Sequence, residues 1–175
     1  MVKRVKMKYI LSLFALVLTG CGTSGASGNT LDVGRWTLPC TNESSGYSEQ
    51  GTLLVSKDSL EFDTKRYYDI DCHEDDLEFY FISREDYTIG QSTKFSNGMN
   101  GIELNSLITS YNTIEMGRYS IFEQVDFVGL KIYSMYRVEN QKLYFAYPDR
   151  DKGLDGTTAS KRVNVFNGKY YIQDD

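Results

Sequence analysis

The chain has 175 residues, 41% of them hydrophobic and 25% charged, a composition that supports one domain with a real core and excludes a disordered or fibrous protein. The single His excludes multi-imidazole metal sites and any mechanism that needs two imidazoles. The first 20 residues hold four of the 19 Lys and Arg and no acid, so the remainder has 15 basic residues against 24 acidic, a net charge of −9 that opposes binding to nucleic acid or to an anionic lipid surface.

Lys3, Arg4, Lys6 and Lys8 precede the apolar run Tyr9–Leu18. At about 1.5 Å per helical residue this run cannot cross a hydrocarbon core of roughly 30 Å. A charged start, a short apolar stretch and small residues after it predict a secretory signal over residues 1–20. Gly-Thr-Ser-Gly-Ala-Ser-Gly-Asn-Thr at 22–30 reads as a flexible tether. The expected organisation is a leader at 1–20, an N-terminal tether at 21–33 and one domain at 34–175.

Period-two alternation then recurs along the chain. Trp36 and Leu38 open the series, and Leu53 and Val55 follow. Leu60, Phe62, Thr64, Arg66, Tyr68 and Ile70 share one face of the next strand, with Glu61, Asp63, Lys65, Tyr67 and Asp69 on the other. Leu77, Phe79 and Phe81 form the inward set of a strand extending to Ile89. The Gly-rich stretch 96–101 predicts a loop, and 102–110 fits either a helix or a strand. Leu130, Ile132, Ser134, Tyr136 and Val138 alternate again, and Glu139-Asn140-Gln141 turns the chain into Leu143, Phe145 and Tyr147. The stretch 148–160, with Pro148, Gly153 and Gly156, predicts a loop. Val163 and Val165 precede Asn167-Gly168, a hairpin signal leading into Tyr170–Ile172. No segment sustains a 3.6-residue period. The sequence therefore predicts an all-β fold of eight or nine antiparallel strands, either a closed meander barrel of about eight or a β-sandwich. An eight-stranded barrel fills with side chains or holds one small ligand.

Leu18-Thr19-Gly20-Cys21 resembles the bacterial lipobox. The resemblance implies that Cys21 is lipidated, becomes the mature N-terminus and makes a membrane the first partner; several acyl chains hold firmly because each buried CH₂ adds about 0.8 kcal/mol. The same resemblance implies a cell-envelope location and, because Gly22 rather than Asp follows that cysteine, the outer membrane, periplasmic or surface leaflet, if the cell is Gram-negative. Cys40 and Cys72 remain, and two cysteines in an exported chain predict a disulfide. The alternative, a metal site of Cys40, Cys72 and His73, lacks a fourth ligand.

Gly34-Arg35-Trp36 resembles the Gly-x-Trp opening of lipocalin and wider calycin barrels, in which the Trp closes one end. Cys40, Tyr67-Tyr68-Asp69-x-Asp71-Cys72, Lys142-Leu143-Tyr144 and Asp155-Gly156-Thr157…Arg162 extend the likeness to a group of bacterial lipocalin-like modules. The resemblance implies a barrel spanning residues 34–172.

Candidate chemistry is sparse. Asp71-Cys72-His73-Glu74-Asp75-Asp76 reads as a solvated acidic turn rather than a general base beside carboxylates. Asp149, Asp151, Asp155 and their neighbours alternate as in a calcium loop, but Ser160 stands where an EF-hand places Glu, and Arg150 and Lys152 weaken the field. No pair of carboxylates is positioned for glycoside hydrolysis. Tyr67, Tyr68, Tyr80, Tyr133, Tyr136, Tyr144, Tyr147, Tyr170 and Tyr171 fall on predicted strands, where they either line a ligand cavity or simply favour β-structure. The reading is a non-enzymatic module with no catalytic residue, metal or cofactor, and with no ligand-binding residue assigned. Its expected partner is a small apolar ligand; the alternative is an envelope protein met by a structural or adhesion component with a filled barrel.

Overall fold

The computed structural model describes residues 31–42, 46–117, 127–148, 153–166 and 168–175. The leader, Cys21 and the tether to residue 30 lie outside the described residues, as do 149–152 and Asn167. Eight strands follow one another in chain order: β1 (Gly34–Asn42), β2 (Ser48–Val55), β3 (Ser59–Tyr67), β4 (Leu77–Lys94), β5 (Asn100–Met116), β6 (Lys131–Glu139), β7 (Lys142–Phe145) and β8 (Tyr171–Gln173). Each is antiparallel to the next, and β8 returns to β1 through Trp36↔Gln173 and Thr37↔Ile172. The fold is a closed meander barrel and not a sandwich.

Period-two alternation decides which residues face the lumen. Trp36 and Leu38 of β1, Leu53 and Val55 of β2, and Leu60 of β3 are buried with Tyr87, Leu104, Tyr136, Leu143 and Tyr171 in one apolar cluster. Full burial of each large side chain is worth about 1.5–3 kcal/mol, so this cluster is the main source of stability. Trp36 donates its indole N–H to the Asp32 carbonyl at 3.3 Å, and the Tyr87 hydroxyl donates to the Ser56 carbonyl at 2.9 Å. These bonds fasten the entering chain and the β2–β3 turn across one end of the barrel. That end is a closed floor, with Leu31 packed into it.

The long strands bend to stay in the barrel. β4 and β5 pair over most of their 18 and 17 residues and shift register at Tyr80/Phe81, Arg84/Glu85 and Ile89/Ser92. Residues 102–110 are strand, resolving the open choice. β3 stops at Tyr67, with a register shift after Arg66, so Tyr68 and Ile70 leave the expected face and Ile70 is exposed. Tyr67 is instead fully buried: its hydroxyl accepts from Gln50 Nε2 at 2.6 Å and donates to Glu74 at 3.2 Å. The hairpin expected at Asn167-Gly168 does not form, since residues 163–165 are no strand and Val165 makes only an isolated bridge to Tyr147. Both edges of β8 are already taken, by β7 and β1. The 140–141 turn does form, with Asn140 and Gln141 at φ 52° and 60°, the left-handed geometry of tight hairpins.

Two devices brace the wall from outside. Cys40 and Cys72 form the expected disulfide, tying the end of β1 to the β3–β4 connection. Arg162 lies across β5 and β6, donating to the Leu104 carbonyl at 3.1 Å, the Ser134 carbonyl at 2.8 Å and Asn105 Oδ1 at 2.8 Å. Val163 beside it packs with Phe95, Met135 and Ala146 in a second apolar cluster.

Candidate functional site

Above the floor the lumen changes character. Phe62 on β3 and Phe145 on β7 stand on opposite walls, four strands apart around the ring, yet their rings meet at 5.9 Å. Phe145 also meets Tyr171 edge-on at 5.8 Å. These rings sit on the apolar cluster, but Phe62 and Phe145 are only partly buried, whereas Leu53 and Leu60 beside them are fully buried. Further from the floor, Phe79, Phe81, Tyr111 and Phe127 form a chain of ring contacts at 5.7, 5.3 and 4.7 Å.

Polar groups also occupy the inward register. Glu49 continues the inward set of β2, two and four residues before Gly51 and Leu53, and pairs with the Lys169 ammonium. Lys169 is buried and lies over the Tyr147 ring, 5.4 Å from its centroid. Glu85 occupies the inward register of β4, opposite Leu60 on one side and Ile108 on the other. It is 9% exposed, and its carboxylate accepts a hydrogen bond from Ser106. Burial pushes the Glu85 carboxyl above its ordinary range, and the Ser106 bond opposes that only in part. The Tyr171 hydroxyl is likewise pushed up, first by burial and then by Tyr147, with Lys169 opposing the shift and Glu49 and Glu85 adding to it. Gly51 lets β2 and β3 close up here, because a Cβ at that position would lie 2.2 Å from the Asp63 carbonyl oxygen.

The rim opposite the floor is acidic. A cleft of about 500 Å³ is lined by Glu74, Asp75, Asp76, Leu77, Glu115, Met116 and Gly117. On the outer wall, a second cleft of about 350 Å³ runs along Asp86, Thr88, Asn105, Leu107, Lys131 and Tyr133.

The residues singled out in the sequence are distributed unevenly over this geometry. Cys40 and Cys72 are consumed by their bridge and hold no metal with His73. His73 lies instead beside Asp69, with Nδ1 3.4 Å from a carboxylate oxygen, and Asp76 completes a group of three in which His73 and Asp76 are exposed and Asp69 is half-buried. Its backbone N–H donates to Asp69 at 3.3 Å, and its carbonyl accepts from the Asp76 N–H at 2.9 Å, as expected of an acidic turn. Asp155 is saturated by its own loop: it accepts from the Thr157 hydroxyl at 2.7 Å, the Thr157 N–H at 3.0 Å and Lys161 at 3.3 Å. The Thr157 bonds and Lys161 hold its carboxyl down at about 2. Asp149 and Asp151 lie outside the described residues. Of the tyrosines, Tyr136 and Tyr171 belong to the buried cluster, and Tyr147 lies half-buried beside Lys169.

Glu49, Glu85, Ser106 and Lys169 were not among the sequence candidates. Glu85 was legible, since an acid two residues before Tyr87 and four before Ile89 breaks the apolar register of a strand. The Glu49–Lys169 pair spans 120 positions and carries no local signal. No protein-family profile matches the chain, and no curated protein matches it significantly, so function is to be argued from this lumen alone.

Proposed function

We propose that the protein is a cell-envelope lipoprotein, held to a membrane through Cys21, whose barrel is a non-enzymatic binding module for a small, largely apolar ligand. The observation that supports the ligand reading is the partial exposure of Phe62, Phe145 and Tyr147 on the inward register, directly above a fully buried floor. An inward-facing side chain that water still reaches borders space rather than packed atoms. The aromatic lining offers a large apolar contact area with defined geometry.

Native mass spectrometry on the full chain purified gently from its own cells tests the reading. The expected result is a bound species lost on unfolding. A protein that is empty in repeated preparations and whose Phe62 and Phe145 exclude added apolar dyes overturns it. For the anchor, Cys21→Ser is expected to move the protein from the membrane to the soluble fraction.

A further inference from the structure

Apart from the lumen, and independently of the ligand proposed there, we propose that the outer wall carries a second binding site, for a small zwitterion of the dipeptide class. Its ammonium sits at Asp86, its carboxylate at Lys131, and its apolar side chain on Leu107 and Tyr133.

The strand register builds the site. Asp86 of β4 stands opposite Leu107 of β5, which stands opposite Lys131 of β6. Two residues along, Thr88, Asn105 and Tyr133 form a second row across the same three strands. Side chains two apart on a strand share a face, so all six belong to one patch of the outer wall. They line the cleft of about 350 Å³, a volume suited to a small molecule rather than to a folded partner. Leu107 and Tyr133 are half-buried, whereas Asp86 and Lys131 are exposed, so apolar surface lies within a charged margin.

The second row is held in place before any ligand arrives. Arg162 donates to Asn105 Oδ1 at 2.8 Å, and its guanidinium lies over the Tyr133 ring, 5.6 Å from the centroid. The Tyr133 N–H donates to the Gly156 carbonyl at 2.9 Å, and the Tyr133 carbonyl accepts from the Val163 N–H at 3.0 Å. A recognition surface fixed in advance loses less freedom on binding. With its oxygen engaged by Arg162, the Asn105 amide keeps its N–H groups for a ligand carbonyl.

The charges select the occupant. Asp86 and Lys131 share a row, yet neither forms an ion pair among the described residues. Their backbones are two strand spacings apart, roughly 10 Å. A ligand that meets both needs a positive and a negative group held several bonds apart. An α-amino acid carries both on one carbon, whereas a dipeptide separates them and places a peptide carbonyl between, where Asn105 stands. A simple anion or cation leaves one end uncompensated, and a neutral sugar gains nothing from either charge.

Isothermal titration of the full chain with alanyl-phenylalanine, its N-acetyl form and its C-terminal amide tests the assignment. The free dipeptide is expected to bind at least about five-fold more tightly than either capped form. Asp86→Asn is expected to erase the penalty for acetylation and keep the penalty for amidation; Lys131→Gln is expected to do the reverse. Both side chains are exposed, so the barrel of each variant is expected to give the circular dichroism spectrum of the unaltered chain. Free and capped forms that bind alike, penalties that persist in both variants, or no binding of any of the three overturns the inference. None of these results bears on the lumen, which native mass spectrometry tests separately.

Discussion

Replacing Cys40 and Cys72 together by Ser tests how the disulfide acts. The bridge joins residues 32 positions apart, and the chain-entropy relation for such a loop gives about 3.7 kcal/mol, all of it from restricting the unfolded chain. The folded barrel has other ties to the same segment. The Cys72 N–H donates to Ser48 Oγ at 3.2 Å, the Tyr68 N–H to the Asp76 carbonyl at 2.8 Å, and Lys65 to Glu74 at 2.8 Å. The double variant is therefore expected to keep its far-ultraviolet spectrum and its buried Trp36 emission while losing stability. With a urea m-value of about 2 kcal/mol/M, the loss corresponds to a midpoint lower by about 2 M. Equilibrium urea unfolding, followed by Trp36 fluorescence and circular dichroism together, measures it. Coincident midpoints for the two proteins would refute the entropic argument. A variant without strand signal in the absence of urea would show instead that the bridge shapes the folded state.

Arg162→Ala removes three hydrogen bonds to β5 and β6 and the 3.5 Å ion pair with Glu103, so a loss of about 3 kcal/mol is expected in urea unfolding. Arg162→Lys is expected to recover less than half of it, because an ammonium lacks the planar fork that spans both strands; full recovery would contradict the clamp. Glu85→Gln tests what burying this carboxylate does to stability. The folded state raises this carboxyl's affinity for protons, so native Glu85 costs stability once the pH exceeds the unfolded-state value, and the cost grows until the folded-state value is passed. The variant is expected to melt higher than the unaltered protein at neutral pH, with the gap closing as the pH falls below the ordinary carboxylate range. A gap independent of pH would refute that assignment.

The barrel was legible because its inward residues obey period two where the chain is locally straight, as at Leu53–Val55 and Ser134–Tyr136–Val138. It was obscured where bulges interrupt the count. At Arg66/Tyr67 the shift buries a tyrosine that simple alternation placed outside. Residues 102–110 mimicked a helix because Leu107, on the outer face, is half-buried in the groove beside Tyr133, adding an apolar position between Leu104 and Ile108. Asn167-Gly168 carried a true turn signal, but a hairpin there needed an edge of β8 that barrel closure had claimed. The polar interior is the least local feature: Glu49 and Lys169 come from the first and last thirds of the chain and pair only because the sheet rolls up.

Leu31 is seated in the floor beside Trp36, and β1 climbs away from it. The first described residue therefore lies at the closed end of the barrel. On the proposed reading of a lipid-anchored protein, an anchor on that side would leave the acidic opening facing away from the membrane, like a cup on a short stem.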